Sequence, residues 1–419
     1  MQRRMFISEL AGRRRHPSIT RLQTRRLQTR RRGATLVLAA FVLVFLMAIV
    51  AFAVDLGYIA TTKAELQSAA DGAALASATE VIDGLGASPL KSQSQMQAAA
   101  KSAAVAVALK NGNGDRSTTY VDPNKHLRFG RCSWNNTTKK WDKTWGATPA
   151  NIVEVTTHRD AGGSANGDGS LHLFFAPVMG RSTANLATNA VAGVLPGTGF
   201  KIAPGNTTTF GALPIACDET SWNALLAGTG SDLYNYNSNG VVSSGADGVK
   251  ELNIYPDPNA NLPPGNRGTV DLGNPNNSTA DLVRQITYGL NASDLSFFPN
   301  NTIRTDTGPV ILNGDTGISA GIKASLDAIK GQPRLMPIFT IVGTQQQATS
   351  GNMTGAKASG NNVYYRVTKF VGVRIMFVEL TGNNKRVIIQ PAAFSSSAVI
   401  TSKSAVTTDS YFTKPHLIE

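Results

Sequence analysis

The chain has 419 residues, 42% hydrophobic and only 16% charged, enough apolar material for two or three cores and a style of solubility that rests on Asn, Ser, Thr and Gly, as in exported β-rich proteins. The formal net charge of +13 is concentrated: residues 1–33 hold eleven arginines against the single acid Glu9, which leaves +3 for residues 34–419. A basic body that would bind nucleic acid therefore finds no support, nor does a zinc site, because there is no CxxC and the five histidines fall at no ligand spacing.

The arginine-rich lead ends in Arg30, Arg31 and Arg32, directly before an uncharged run, Ala34–Val54, that contains no Gly and no Pro. At about 1.5 Å per residue that run spans roughly 30 Å, the thickness of a bilayer's hydrocarbon core. A cleaved signal peptide is the alternative: the run exceeds its ~7–15-residue apolar region, yet ends in the small-residue stretch Ala51-Phe52-Ala53. The arginines on its N-terminal side predict a cytoplasmic N-terminus and place residues 58–419 outside the inner membrane, with lipid contact for the basic tail. The reading divides the chain into a basic tail (1–33), a transmembrane helix (34–57), a first extracytoplasmic domain (58–195) and a second (196–419).

No proline occurs between Ala34 and Ser88, so the membrane helix is expected to continue to about Glu80 or Val81. Within this extension Leu66, Ala69, Ala70, Ala73 and Ala74 form a small-residue face that another helix can approach closely. Two covers are open for it: a partner's helix, or the protein's own sheet. A second alanine-rich helix is predicted over Lys91–Lys110, ended by Asn111-Gly112-Asn113-Gly114. Strands follow at His126–Trp134, Asn151–His158, Leu171–Phe175 and Asn185–Val194, with Phe129, Trp134, Trp141 and Trp145 as cross-strand aromatics around a hairpin. Outside the cytoplasm, Cys132 and Cys217 are a candidate disulfide.

A Pro/Gly boundary at Leu195–Gly199 opens the second half. Thr269–Leu272, Val310–Leu312, Met336–Val342, Val363–Glu379 and Lys385–Gln390 read as strands, the fourth with Gly372 as a bulge. Ala280–Tyr288 and Ile318–Lys330 read as helices, the second capped by Asp315 or Thr316. The Asp-Thr-Gly triplets at Asp306 and Asp315 are separated by one short strand, so they cannot supply the two lobes that an aspartic protease needs. Cys217 beside Asp218, Glu219 and Trp222 has no histidine near it in sequence, and Asp271, Asp281 and Asp294 have no calcium-loop spacing. The fold class expected is α+β: a single transmembrane helix extending into a helix plus antiparallel sheet, then a mostly β domain.

Arg31-Arg32-Gly33-Ala34, the Ala53-Val54-Asp55-Leu56-Gly57 exit, the Leu66–Ala76 run LQSAADGAALA and Leu173-Phe174-Phe175-Ala176 together resemble the TadE/TadG-like family of tight-adherence (Flp) pilus-assembly proteins, over roughly residues 30–195. The resemblance implies a pilin-like first domain on a single-pass inner-membrane anchor. It also implies a structural role among other pilus-assembly or envelope proteins, with no catalytic residues and no cofactor. Relatives processed as pseudopilins carry Glu five residues after the Gly; here Leu38 follows Gly33 at that spacing, so a retained anchor is expected. No Asp-x-Ser-x-Ser metal motif of a von Willebrand A domain is present. The alternatives are a processed pseudopilin or adhesin cut after Gly33, and an extracytoplasmic hydrolase in the C-terminal half.

Overall fold

A computed structural model of the protein describes residues 31–418 apart from 238, 256–266, 274–277 and 353–362. Arg30 and the rest of the basic tail before it lie outside the described residues; Arg31 and Arg32 open the first helix. The chain forms two units, one holding the chain up to Gly57 with Leu173–Ser182, the other Tyr58–His172 with Thr183 onward.

Helix α1 runs from Arg31 to Val81, 51 residues without a break. Alanine and leucine, strong helix formers, are its commonest residues and no proline interrupts it, so one element is favoured throughout. In the first unit its large apolar side chains are bare, with Phe41 71% exposed, and this helix is long and apolar enough to cross a membrane. The first unit's other segment, Leu173–Ser182, contains a short 3-10 turn, Ala176–Met179, ended by Gly180 in the left-handed conformation.

In the second unit α1 gives way to a 3-10 turn, Ile82–Gly84, followed by helix α2, Gln93–Ala108. Ser92 starts α2 with a capping box: its hydroxyl accepts from Gln95 N and the Gln95 side chain accepts from Ser92 N. Met96, Ala100, Ala104 and Ala108, four residues apart, form its buried face. The two helices cover an antiparallel sheet of spatial order Lys140–Trp145, Leu127–Asn135, Ile152–Arg159, Leu186–Gly193 and His416–Leu417. Strand alternation sends Val153 and Val155 to the helices' core, and Ile152 to a separate cluster with Cys132, Val191, Leu195 and Ile418. Trp134 faces Trp141 across the hairpin with ring centres 5.3 Å apart, the cross-strand packing expected.

The remainder is built on a small barrel. Val363–Glu379, Val310–Asp315, Arg267–Val270, Ile215–Asp218 and Pro333–Gly343 pair in that order, and the last pairs back onto the first. Among the described residues of these five strands, the Ile215–Asp218 and Pro333–Gly343 pair is the parallel one. The fold is thus α+β with a mostly β C-terminal region. The boundary at Leu195-Pro196 does not isolate that region: Pro196 bridges Phe412, and His416–Leu417 adds the last strand of the first sheet.

Three local expectations change. Gly372 is no bulge, because it pairs in register with Leu335; the register shifts fall around Thr368 and Met376 instead. Glycine is required at 372 because a Cβ there would lie 2.1 Å from the Ala392 carbonyl oxygen. The helix near 318–330 is a 3-10 turn, Ala320–Ile322, followed by Lys323–Ala328, and its cap is Ser319, since Asp315 is held in its strand. The strand predicted at Leu171–Phe175 ends at His172; from Phe174 on the amides bond elsewhere, as described below.

Candidate functional site

The small-residue face of α1 is wholly internal. Leu66, Ala69, Ala70, Ala73 and Ala74 have no exposed surface. Ala70, Ala73 and Ala74 pack with Met96, Ala100 and Ala104 of α2 and with Leu127, Phe129, Val153 and Val155 of the sheet. The close approach that small residues permit is used by α2 itself: buried Ser77 donates its hydroxyl to the Ala100 carbonyl at 2.7 Å, and a Cβ at Gly72 would sit 3.3 Å from Val107 Cγ1. Further along, Thr157 donates to the Leu66 carbonyl, Gln67 to the Asn189 carbonyl, and Gly114 N to Glu65. Of the two covers left open for these five side chains, the structure holds the protein's own: α2 and the first sheet enclose them. The positions of this stretch that face outward are Ala60, Thr61, Lys63, Ala64 and Ser68.

Cys132 and Cys217 are not joined. Both are buried and reduced, the first in the small cluster behind the first sheet, the second in a core around Trp222 and Ile338. Burial pushes the Cys132 thiol up to about 11.

Several acids of the C-terminal half are engaged in caps and ion pairs. Asp218 caps the helix Glu219–Leu226 through Ser221 N, and Trp222 Nε1 donates to Asp409, which also pairs with Lys369. Asp306 is bound by Arg304, whose guanidinium holds its carboxyl below the usual range. Asp294 takes Arg284, Gln285 and the Asn291 amide. Among the described residues no three of His, Cys, Asp and Glu group in a way that could hold a metal ion.

The most specific arrangement joins two motifs that the sequence presents far apart. Asp55, at the end of the apolar run, is only 3% exposed. Its Oδ1 accepts from Phe174 N at 2.9 Å, and its Oδ2 from Phe175 N at 3.0 Å and Ala176 N at 2.6 Å. Three consecutive amides at the start of the Ala176–Met179 turn thus converge on one carboxylate, the capping that a helix start needs, supplied here from 119 residues or more away. A buried carboxylate without partners is costly, and charge-assisted bonds to backbone amides offset that cost. Beside it Met47, Ala51 and Phe52 of α1 face Phe175, Val178 and Met179 of the turn across an open, largely apolar hollow of about 470 Å³. The sequence announced both ends, an acid directly after the apolar run and a Phe-Phe pair before a proline, but nothing local encodes their pairing.

Residues 33–80 match the family model described as Flp pilus-assembly TadE/G-like, and residues 85–192 the model described as Tad-like Flp pilus-assembly. Both the Asp55 motif and the Phe174–Ala176 motif fall inside these matches. No curated protein and no solved structure matches the chain.

Proposed function

We propose, on the premise that residues 33–192 carry Tad/Flp pilus-assembly sequence, that this chain is a membrane-anchored structural component of a Tad-type pilus assembly or a related envelope structure. It works by protein–protein contact and not by catalysis. The observation that carries this reading is the contiguous family match beginning at the bare apolar half of α1. An isolated helix with large apolar side chains facing outward requires a cover, and a run of this length fits a bilayer. The arginines before it favour a cytoplasmic N-terminus, with the helix-and-sheet region of residues 58–193, pilin-like in this reading, on the extracytoplasmic side of the inner membrane.

Partners then meet the outward side of the α1 extension and the surfaces of the two sheets, since the small-residue face is closed. A photo-crosslinking residue at Ala64 or Ser68, introduced in cells that express the native system, is expected to capture other pilus-assembly proteins. Recovery of envelope proteins unrelated to any pilus, or of none, overturns the reading. N-terminal sequencing of the native protein separates the anchor from the processed subunit: a mature chain beginning at Ala34 would replace the first by the second.

A further inference from the structure

Within the first unit, the turn that Asp55 caps is more apolar on its outside than a solvent-facing turn needs to be. Val178 is 91% exposed and Met179 81%, with Phe174 and Phe175 also bare. The turn lies alongside α1 and not beyond its end: the hollow it forms is walled by α1 residues as far back as Met47, inside the uncharged run Ala34–Val54. From Asp55 back to Met47 is about 12 Å along the helix axis at 1.5 Å per residue. Whatever covers the last two turns of that run therefore also meets Val178 and Met179.

The backbone of the turn is prepared for a dry surrounding. The amides of Phe174, Phe175 and Ala176 bond to Asp55. Those of Leu173, Val178, Gly180 and Arg181 bond to carbonyls of the same segment, and Pro177 has no amide to satisfy. Irregular backbone tolerates a lipid boundary only when its polar groups are satisfied internally. Exposed Arg181 at the edge of the hollow supplies a cation of the kind that meets phosphate headgroups.

We propose that the Phe174–Met179 turn is a second membrane contact, a wedge seated at the boundary between acyl chains and headgroups in the leaflet where α1 leaves the bilayer, with Asp55 as the residue that holds the wedge in place. The occupant of the hollow is phospholipid. This rests on the reading of α1 as a membrane anchor.

The test uses the full-length chain in phosphatidylcholine/phosphatidylglycerol vesicles, with a nitroxide on Val178→Cys, on Phe45→Cys in the middle of the apolar run, and on Val241→Cys in an exposed loop of the second unit. The labelled parent chain serves as blank, because Cys132 and Cys217 are buried. Collision with oxygen is compared with collision with a water-soluble nickel chelate. The expected result is that positions 178 and 45 both favour oxygen, 178 at the shallower depth, while 241 favours the chelate. Adding Asp55→Ala to the 178 label shifts it toward the chelate and leaves position 45 unchanged. If 178 behaves like 241 while 45 remains in lipid, the wedge is overturned and the anchor stands. If 178 and 45 both behave like 241, the anchor reading falls and the wedge with it. A label at 178 that is immobilised and shielded from both reagents means that a second copy of the chain covers the turn, which overturns the lipid assignment.

Discussion

The two halves of α1 form one unbroken helix but differ in side-chain size and in cover. From Leu36 to Leu56 its large side chains point outward, with only the Phe174–Met179 turn of the described chain beside Met47–Asp55; from Leu66 to Val81, Ala69, Ala70, Ala73, Ala74 and Ala78 are fully enclosed. Large apolar residues all around a helix suit a fluid cover that adapts to any shape. Small residues along one face suit a rigid cover that comes close, here α2 and the first sheet. Hydrophobicity alone reports that water is excluded; side-chain size reports how near the neighbour stands.

That contrast can be broken most strongly by enlarging one side chain in each half. Ala74→Leu forces extra volume into a closed core and is expected to lower the unfolding free energy of the body by about 1–3 kcal/mol. Ala40→Leu, in the bare half, is expected to change it by no more than about 0.5 kcal/mol. Urea unfolding of the full chain in detergent, followed by tryptophan fluorescence, compares them. Equal effects would erase the distinction.

At the junction of the two halves, Asp55→Ala removes the acceptor of three amides, and local opening of the turn is expected to become easier by about 1–3 kcal/mol. Hydrogen exchange at Phe174, Phe175 and Ala176 is expected to accelerate while that of Leu66–Ala74 does not change. Acceleration in both segments would show that Asp55 supports more than the turn.

Behind the first sheet, Cys132 gives a pH test of how dry the enclosed region is. The unfolded thiol loses its proton near 9.0, the folded one near about 11. Above pH 9 the unfolded state therefore binds fewer protons, and the thiol's contribution makes stability fall as pH rises, levelling only beyond 11. At pH 10 the loss is on the order of 1 kcal/mol. Comparison with Cys132→Val over pH 8–10.5 isolates it, since the variant lacks this slope; identical slopes would mean that water reaches the thiol.

The smallest effect is expected at Lys91, which bridges Glu80 and Asp83 near the end of α1 with all three side chains about one-third exposed. Lys91→Ala is expected to cost about 0.2–1 kcal/mol by the same unfolding assay, and less at high salt. A cost as large as that of Ala74→Leu would move weight from packing to charge.

Much of this architecture was legible in the sequence where period and composition act locally. Val363–Glu379 was bounded to the residue by its alternation, and the end of α1 and both ends of α2 to within two residues by alanine content, the absence of proline and the Asn-Gly stop. The misreadings share one cause, a partner distant in the chain. The face of Leu66, Ala69, Ala70, Ala73 and Ala74 encodes close approach but left open whose backbone approaches. Leu173–Phe175 has strand-like residues, yet the amides of Phe174 and Phe175 bond to Asp55. Gly372 looked like a bulge and is instead a contact with the Ala392 carbonyl. Closure of the barrel depends on Pro333–Gly343 pairing with two strands at once, which no local pattern announces.

The central claim is that the first half of α1 is covered by lipid and the second half by the chain itself. Alkaline carbonate extraction of native membranes tests it most directly, run on the parent chain and on a chain with Leu43→Arg and Phe45→Arg together. The account predicts that the parent stays with the membrane pellet and that the double variant is released or fails to insert. A parent chain recovered in the supernatant would contradict it.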